Sequence, residues 1–266
     1  MKRSIEDTSI VFVGAGNLAT HLAKAFYRKG FRIVQVYSRT EESAKALAQS
    51  VEAGYTTSLS DLATDAQMYI AALKDSALAS LLPVMVAGRE QALWVHTAGS
   101  MPMDIWKGRT HHYGVFYPLQ TFSKQREVDF REIPVFVEGC NDEVAAFLKE
   151  VAAALSGKVY EADSAQRERL HLAAVFACNF ANHMYDLAAR LLEDNRLPFE
   201  VLLPLIDETA RKVHELSPHS AQTGPAVRYD ENVISHHLQM LAGEPPLQEV
   251  YRLLSRNIHE LRQQDP

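Results

Sequence analysis

Ser9-Ile-Val-Phe-Val-Gly-Ala-Gly-Asn-Leu-Ala19 is the stretch that decides the reading of this chain. Its first five residues, Ser9 to Val13, are a short run rich in β-branched and aromatic side chains, which predicts a buried strand. Gly14-Ala15-Gly16-Asn17-Leu18-Ala19 then matches G-x-G-x-x-G/A. From Asn17 to Lys29, Leu18, Leu22, Ala25 and Phe26 recur at helical spacing, and Gly30 stops the pattern. A strand, a glycine loop and a helix in direct succession are the context this motif needs to cradle a dinucleotide pyrophosphate. Gly14 permits the tight turn, Gly16 leaves no side chain in the path of the phosphates, and Ala19 lets the helix pack closely on the sheet. The start of the helix adds free N–H groups and a partial positive charge. Gly14, Ala15, Gly16, Asn17 and Leu18 are thus candidate cofactor contacts, the plainer alternative being a glycine turn that serves packing alone.

Outward from this stretch, the alternation continues. Strands are predicted over 32–37, 67–72 and 92–96, separated by helices over 41–50 and 76–87. That order signals a parallel sheet with crossover helices. Further strands over 113–117, 133–138 and 158–161 accompany a helix over 142–155. After Asp163 the strand signal ends. Helices are predicted over 165–193, 199–216, 230–241 and 247–261, punctuated by Pro198, Pro218, Pro225 and the pair Pro245-Pro246. The expected fold class is an α/β Rossmann domain with a doubly wound, mostly parallel sheet over residues 1–162, followed by an all-α domain over 163–266.

Composition narrows the function classes. The chain has 266 residues, with 47% hydrophobic and 23% charged, which is ordinary for a folded protein. A net charge of −6 implies no basic surface for nucleic acid. No apolar run approaches a membrane span, and the charged stretch from Met1 to Ser9 reads as neither signal peptide nor anchor. The two cysteines, Cys140 and Cys178, are far apart in sequence, which suits a reducing compartment and a cytoplasmic location. The histidine pairs His111-His112 and His236-His237 are sequence neighbours whose side chains diverge, so no metal site is expected. Trp94 and Trp106 read as packing residues.

The end of the second strand bears on the cofactor. An NAD site carries an acidic residue there for the ribose 2′-hydroxyl. This chain has Ser38-Arg39-Thr40 instead, a guanidinium and two hydroxyls suited to a 2′-phosphate. NADP is therefore expected over NAD. Ser38 could equally cap the next helix, with Glu41 closing a capping box. Leu73-Lys74-Asp75 and His96-Thr97-Ala98-Gly99-Ser100 follow the next two strands and belong at the carboxyl edge beside the cofactor. Leu73, Lys74, Thr97 and Ala98 are the contacts expected from them, although Lys74 could be a solvated surface lysine.

These features together resemble the 6-phosphogluconate-dehydrogenase-like superfamily, which includes pyrroline-5-carboxylate reductases. The pattern is most similar to a poorly characterised bacterial branch of NADP oxidoreductases with a helical C-terminal domain of unknown function. Gly114-Val-Phe-Tyr-Pro-Leu-Gln-Thr-Phe122, His171-Leu-Ala-Ala-Val-Phe-Ala-Cys-Asn179 and Thr223-Gly-Pro-Ala-Val-Arg228 carry the resemblance. The branch commonly has Phe-His-Pro where this chain has Phe116-Tyr117-Pro118. The Gly-Gly-Thr signature of pyrroline-5-carboxylate reductases and the helix lysine of β-hydroxyacid dehydrogenases are absent. The resemblance implies that Pro118, Gln120 and Thr121 turn near the nicotinamide side of the cleft, and it implies a dimer.

Hydride transfer to a C=O or C=N bond also needs a proton donor and an orienting group. At 100° per residue, His171, Cys178, Asn179, Asn182 and Asp186 gather on one face of the long helix, opposite the stripe of Leu170, Ala173, Ala177, Phe180, Met184, Leu187 and Leu191. His171 is the expected general acid and Asn179 the group that orients substrate, with Gln120 a third catalytic candidate placed by the resemblance; the alternative is a polar stripe facing water or another helix. Apolar residues on more than one face of that helix, with Val175, Phe176 and Ala177 in series, predict a homodimer through the helical domain. The expected function is an NADP(H)-dependent oxidoreductase acting on a small carbonyl or imine-type metabolite. The alternative is a non-catalytic NADP(H)-binding sensor or scaffold.

Overall fold

The computed structural model describes residues 8–264; the charged N-terminal segment read above lies outside the described residues except for its end. Eight strands form one sheet in the order β3-β2-β1-β4-β5-β6-β7-β8. They are β1 (Ser9–Val13), β2 (Arg32–Tyr37), β3 (Gly54–Thr56), β4 (Met68–Ala71), β5 (Leu93–His96), β6 (His112–Pro118), β7 (Val135–Gly139) and β8 (Val159–Glu161). All neighbouring pairs run parallel except β6 and β7. The doubly wound, mostly parallel sheet expected from the alternation is therefore present. β3 has no counterpart in the sequence reading, because three residues opened by a glycine are too short to show a periodicity.

Period-two side-chain alternation explains how this sheet is buried on both sides. In β1, Ile10 and Phe12 join one apolar cluster while Val11 and Val13 join the other. β4 splits likewise into Met68 and Ile70 against Tyr69 and Ala71. The first cluster is roofed by Leu22 and Phe26 of α1 (Asn17–Arg28), Leu47 of α2 (Glu41–Ser50) and Leu148 of α4 (Asp142–Leu155). The second holds Leu78 and Leu82 of α3 (Asp75–Val86), with Tyr69 stacked on Trp94 at a centroid distance of 4.4 Å. Trp94 and Trp106 are fully buried, as packing residues should be. Arg89 is buried too; its guanidinium donates to the carbonyls of Ser60, Leu62, Ala63 and Ala87 and so ties the loop before β4 to the end of α3.

Asp163 caps the next helix, α5 (Ser164–Ala174), through a reciprocal box with Gln166 at 2.8 and 3.0 Å. Helical backbone continues through a π-type segment at Val175–Phe180 into α6 (Ala181–Glu193). The wider π turn changes the angular step, so the uniform 100° projection used for the polar stripe does not carry from His171 to Asn182. The chain divides into two compact units within this segment, after Cys178. The second unit continues with α7 (Leu203–Glu215), two single turns α8 (Pro218–Ala221) and α9 (Pro225–Arg228), then α10 (Glu231–Met240) and α11 (Pro245–Gln264). The pair Pro245-Pro246 opens α11 rather than separating helices, since proline fits a first helical turn. The buried residues of this unit, among those described, are Ala226, Ile234, Leu241 and Ser255.

Gly114 and Gly139 are partners across the β6–β7 pair. A Cβ on Gly114 would stand 2.3 Å from the Glu138 carbonyl oxygen and 2.7 Å from Leu148 Cδ1. Gly114→Ala is expected to cost about 1–3 kcal/mol of stability, measured as the shift in urea midpoint at constant slope; an unchanged midpoint would show that the pair gives way freely.

Candidate functional site

Strand order places the turning point of the sheet between β1 and β4, where chain connections leave in opposite directions. Ligands of such sheets bind outside the carboxyl ends of the strands at that point. Here the end of β1 is Gly14, with φ at +124°, a value that L side chains rarely adopt. A Cβ at Gly14 would also sit 2.3 Å from the carbonyl oxygen of Ala72, so the turn can close against β4 only as glycine. The Gly14 amide donates to Tyr37 O at 2.8 Å, which ties the turn to β2 as well. Gly16 caps α1, and a Cβ there would meet nothing within 4 Å. The open space over α1 is the clearance the glycine motif predicts.

Two adjoining cavities occupy this edge. One, about 640 Å³, runs from Gly14, Ala15 and Gly16 to Ser38 and Arg39 at the tip of β2. The other, about 440 Å³, runs from Gly16, Asn17 and Leu18 past Thr97 and Ala98 to Tyr117, Gln120 and His171. They share Gly16, Asn17, Ala72, Leu73 and Lys74, so the two form one groove. The segment after β6 is strapped over α1: Asn17 Nδ2 donates to Phe122 O at 2.9 Å and His21 Nε2 to Ser123 O at 2.8 Å. Arg39 is exposed and has no ion pair among the described residues.

At the second cavity, Tyr117 is 7% exposed and its hydroxyl lies 3.1 Å from His171 Nδ1. The rings meet edge to face at 6.2 Å and 72°. Burial raises the Tyr117 pKa above the usual phenol value, and the nearby Arg167 guanidinium pulls it partly back. Gly99 fixes the other side of the imidazole, because a Cβ there would be 2.7 Å from His171 Cγ and Nδ1. Arg167, one turn before His171 on α5, is 1% exposed. It pairs with Glu138 and donates to Met101 O at 2.5 Å, while its Nε finds no partner among the described residues. Beneath the same edge, fully buried His96 accepts a hydrogen bond from the Ala98 amide on Nδ1 at 3.2 Å. Burial, with Arg167 adding to it, lowers its pKa to about 3. A ring that accepts on Nδ1 carries its proton on Nε2.

Two family models match: NADP oxidoreductase coenzyme F420-dependent over residues 9–97, and a domain of unknown function, DUF2520, over residues 133–258. Among solved structures, a candidate NADP oxidoreductase from Bacteroides fragilis is 69% identical, with a TM-score of 0.94 over 97% of this chain and 100% of that one. The chain belongs to this NADP oxidoreductase family. An imine reductase from Myxococcus stipitatus in complex with NADP+ shares the fold at 14% identity, with a TM-score of 0.66 over 96% of this chain and 93% of that one. A reductive aminase from Aspergillus terreus in complex with NADPH and ethyl levulinate does so at 16% identity, with a TM-score of 0.68 over 98% and 100% of the two chains. No curated protein matches the chain.

In this oxidoreductase the groove gathers most of the residues singled out in the sequence. Gly14, Ala15, Gly16, Asn17, Ser38, Arg39, Leu73 and Lys74 line the larger cavity. Leu18, Thr97, Ala98, Gln120 and His171 line the smaller one. Gln120 Oε1 accepts from the Thr121 amide at 2.8 Å. Thr40 instead begins α2 as its N-cap, without a side-chain bond, and lines neither cavity. The capping box imagined for Ser38 and Glu41 does not form; Glu41 accepts from Tyr55 Oη at 3.1 Å. Asn179 is exposed in the second unit and lines neither cavity. Gly99, Tyr117 and Arg167 were not among the candidate site residues. Gly99 lay within the small-residue loop expected beside the cofactor and Tyr117 stood at the departure from Phe-His-Pro, whereas Arg167 carried no signal.

His96 makes a pH test. Its folded pKa lies below the ordinary 6.5 of the unfolded ring, so the unfolded chain takes up a proton that the buried ring refuses. Stability is retained above about pH 6.5 and declines as pH falls toward 3, by about 2 kcal/mol between pH 7 and 5. Urea unfolding of wild type and His96→Gln at both pH values should show the smaller decline in the variant; equal declines would mean that His96 is not the group responsible.

Proposed function

We propose that this protein is an NADP(H)-dependent oxidoreductase that transfers a hydride between the nicotinamide and a small carbonyl or imine-type metabolite. The observation that carries the reading is the continuous groove, with Ser38 and Arg39 at one end and His171 at the other. A dinucleotide fits the donor set. The N–H groups at the start of α1 suit the pyrophosphate, and the open space over Gly16 gives it room. Ser38 and Arg39 suit a 2′-phosphate. Leu73, Lys74, Thr97 and Ala98 would border the nicotinamide ribose. Solved structures of the same fold that hold NADP+ or NADPH support the choice of cofactor.

When bound, the reduced cofactor supplies the hydride. The chain's own residues supply the rest. His171 delivers a proton to the substrate heteroatom, and Gln120 orients the substrate across the mouth of the smaller cavity. The small residues Thr97, Ala98 and Gly99 keep backbone rather than bulk beside the reacting carbon. Two free cysteines are consistent with the cytoplasm as the working compartment. Among the described residues no helix is long and apolar enough to cross a membrane.

The assembly we infer is a homodimer through the helical unit. None of the residues of α6, α7 or the short 3₁₀ turn Phe199–Leu202 between them is buried. Yet Leu205 is 63% exposed, and Leu197, Val201, Leu203 and Val213 are exposed with it. So many exposed apolar side chains on neighbouring elements belong against a partner, and an identical copy meets them with the same residues. Light scattering should give twice the mass of one chain, and Leu205→Glu should lower it to one; a single-chain mass for wild type overturns the dimer.

The cofactor assignment is tested by fluorescence titration. NADPH should bind more tightly than NADH, and Arg39→Ala should weaken NADPH at least tenfold while leaving NADH nearly unchanged. Equal affinities would remove the preference for NADP. NADPH consumption with a panel of aldehydes, ketones and cyclic imines then separates an enzyme from a sensor that binds without turnover.

A further inference from the structure

We propose that Tyr117 and His171 form a two-step proton relay, in which Tyr117 holds the imidazole with its proton on Nε2 and replaces that proton through Nδ1 as it is given up. The inference rests on the oxidoreductase reading above and goes beyond it by naming the source of the proton.

The geometry is specific. The phenol is buried, and its one hydrogen-bond partner among the described residues is His171 Nδ1 at 3.1 Å. A buried O–H left without an acceptor costs more than an oxygen left without a donor, so the hydroxyl donates and Nδ1 accepts. A neutral imidazole that accepts on Nδ1 must carry its hydrogen on Nε2. His171 Nε2 has no hydrogen bond to any described residue, and the ring lines the smaller cavity. Gly99 on one side and Tyr117 on the other leave the ring little freedom to turn over.

A neutral imidazole is a weak acid alone, and the relay removes that weakness. As the substrate carbon accepts its hydride, the substrate heteroatom takes the proton from His171 Nε2. The Nε2–H bond breaks, and Nδ1 takes the proton from Tyr117 Oη. His171 ends neutral in the opposite tautomer and Tyr117 ends as phenolate, to be reprotonated by water. The phenolate is not isolated. Burial raises the phenol pKa and so keeps the proton on Tyr117 at rest, while Arg167, locked by Glu138 and the Met101 carbonyl, offsets part of that cost when negative charge appears. Its unused Nε–H is spare capacity for negative charge. Tyr117 therefore acts through His171 as a positioning and proton-supplying residue.

The test reads the tautomer directly, without cofactor or substrate. In protein carrying ¹⁵N-labelled histidine, the His171 signal, assigned by its loss in His171→Asn, should show unprotonated Nδ1 and protonated Nε2 at pH 8. Tyr117→Phe, which deletes one oxygen, should convert it to a mixture of tautomers. An unchanged signal in that variant overturns the relay. NADPH affinity should be the same in wild type and Tyr117→Phe; failure of both to bind NADPH would sink the cofactor reading while the tautomer result still judges the pair. For any imine or ketone turned over by wild type, Tyr117→Phe should lower kcat at least a hundredfold with KM little changed, and kcat within threefold of wild type overturns the proposal.

Discussion

One close approach governs the site: the backbone of Gly14 against the carbonyl of Ala72. Only a residue without Cβ, at positive φ, can make that turn between β1 and β4. The Gly14 amide is held by Tyr37 at the same time, so three strands converge on one peptide. Because the turn is fixed, Gly16 caps α1 and the first residues of the helix line the groove. The tips of β2, β4 and β5 then fall in order beside it. Register along β1 and β4 is enforced by burial on both faces, since a one-residue slip would exchange the two apolar clusters.

A second constraint lies under the substrate end of the groove, where the chain buries polar groups rather than hydrocarbon. Arg167 and Glu138 are paired, and Ser164 adds its hydroxyl to the Glu138 carboxylate at 3.0 and 3.1 Å. Breaking such a buried pair strands a charge, so it acts as a lock on the start of α5. Through that helix it sets where His171 stands. His96 belongs to the same layer and holds the Ala98 amide, so the small-residue loop over β5 is positioned from below. The loop and the helix thus meet at Gly99 and His171 with no side-chain clearance to spare.

Much of this was legible in the sequence because it rests on local signals. The glycine loop, the strand-helix alternation and the Ser38-Arg39 tip each depend on neighbours in the chain, and the groove brings them together. The limits appear where long-range packing decides. Neither Tyr117 nor Arg167 belongs to a motif; Tyr117 comes from a strand and Arg167 from a helix some fifty residues later, and no spacing rule links them. The π segment at Val175–Phe180 defeated a projection built on 3.6 residues per turn. Buried Arg89 shows the same limit, since its acceptors are main-chain carbonyls that any sequence supplies.

The strap that Asn17 and His21 hold over α1 couples the two cavities. Gln120 and Phe122 wall the smaller cavity, and Lys124, two residues on, walls the larger. The two chambers therefore share one stretch of wall, fastened by two side-chain bonds to carbonyls. A change at either bond is thereby felt in the lining of both chambers, so the two ends of the groove do not vary independently.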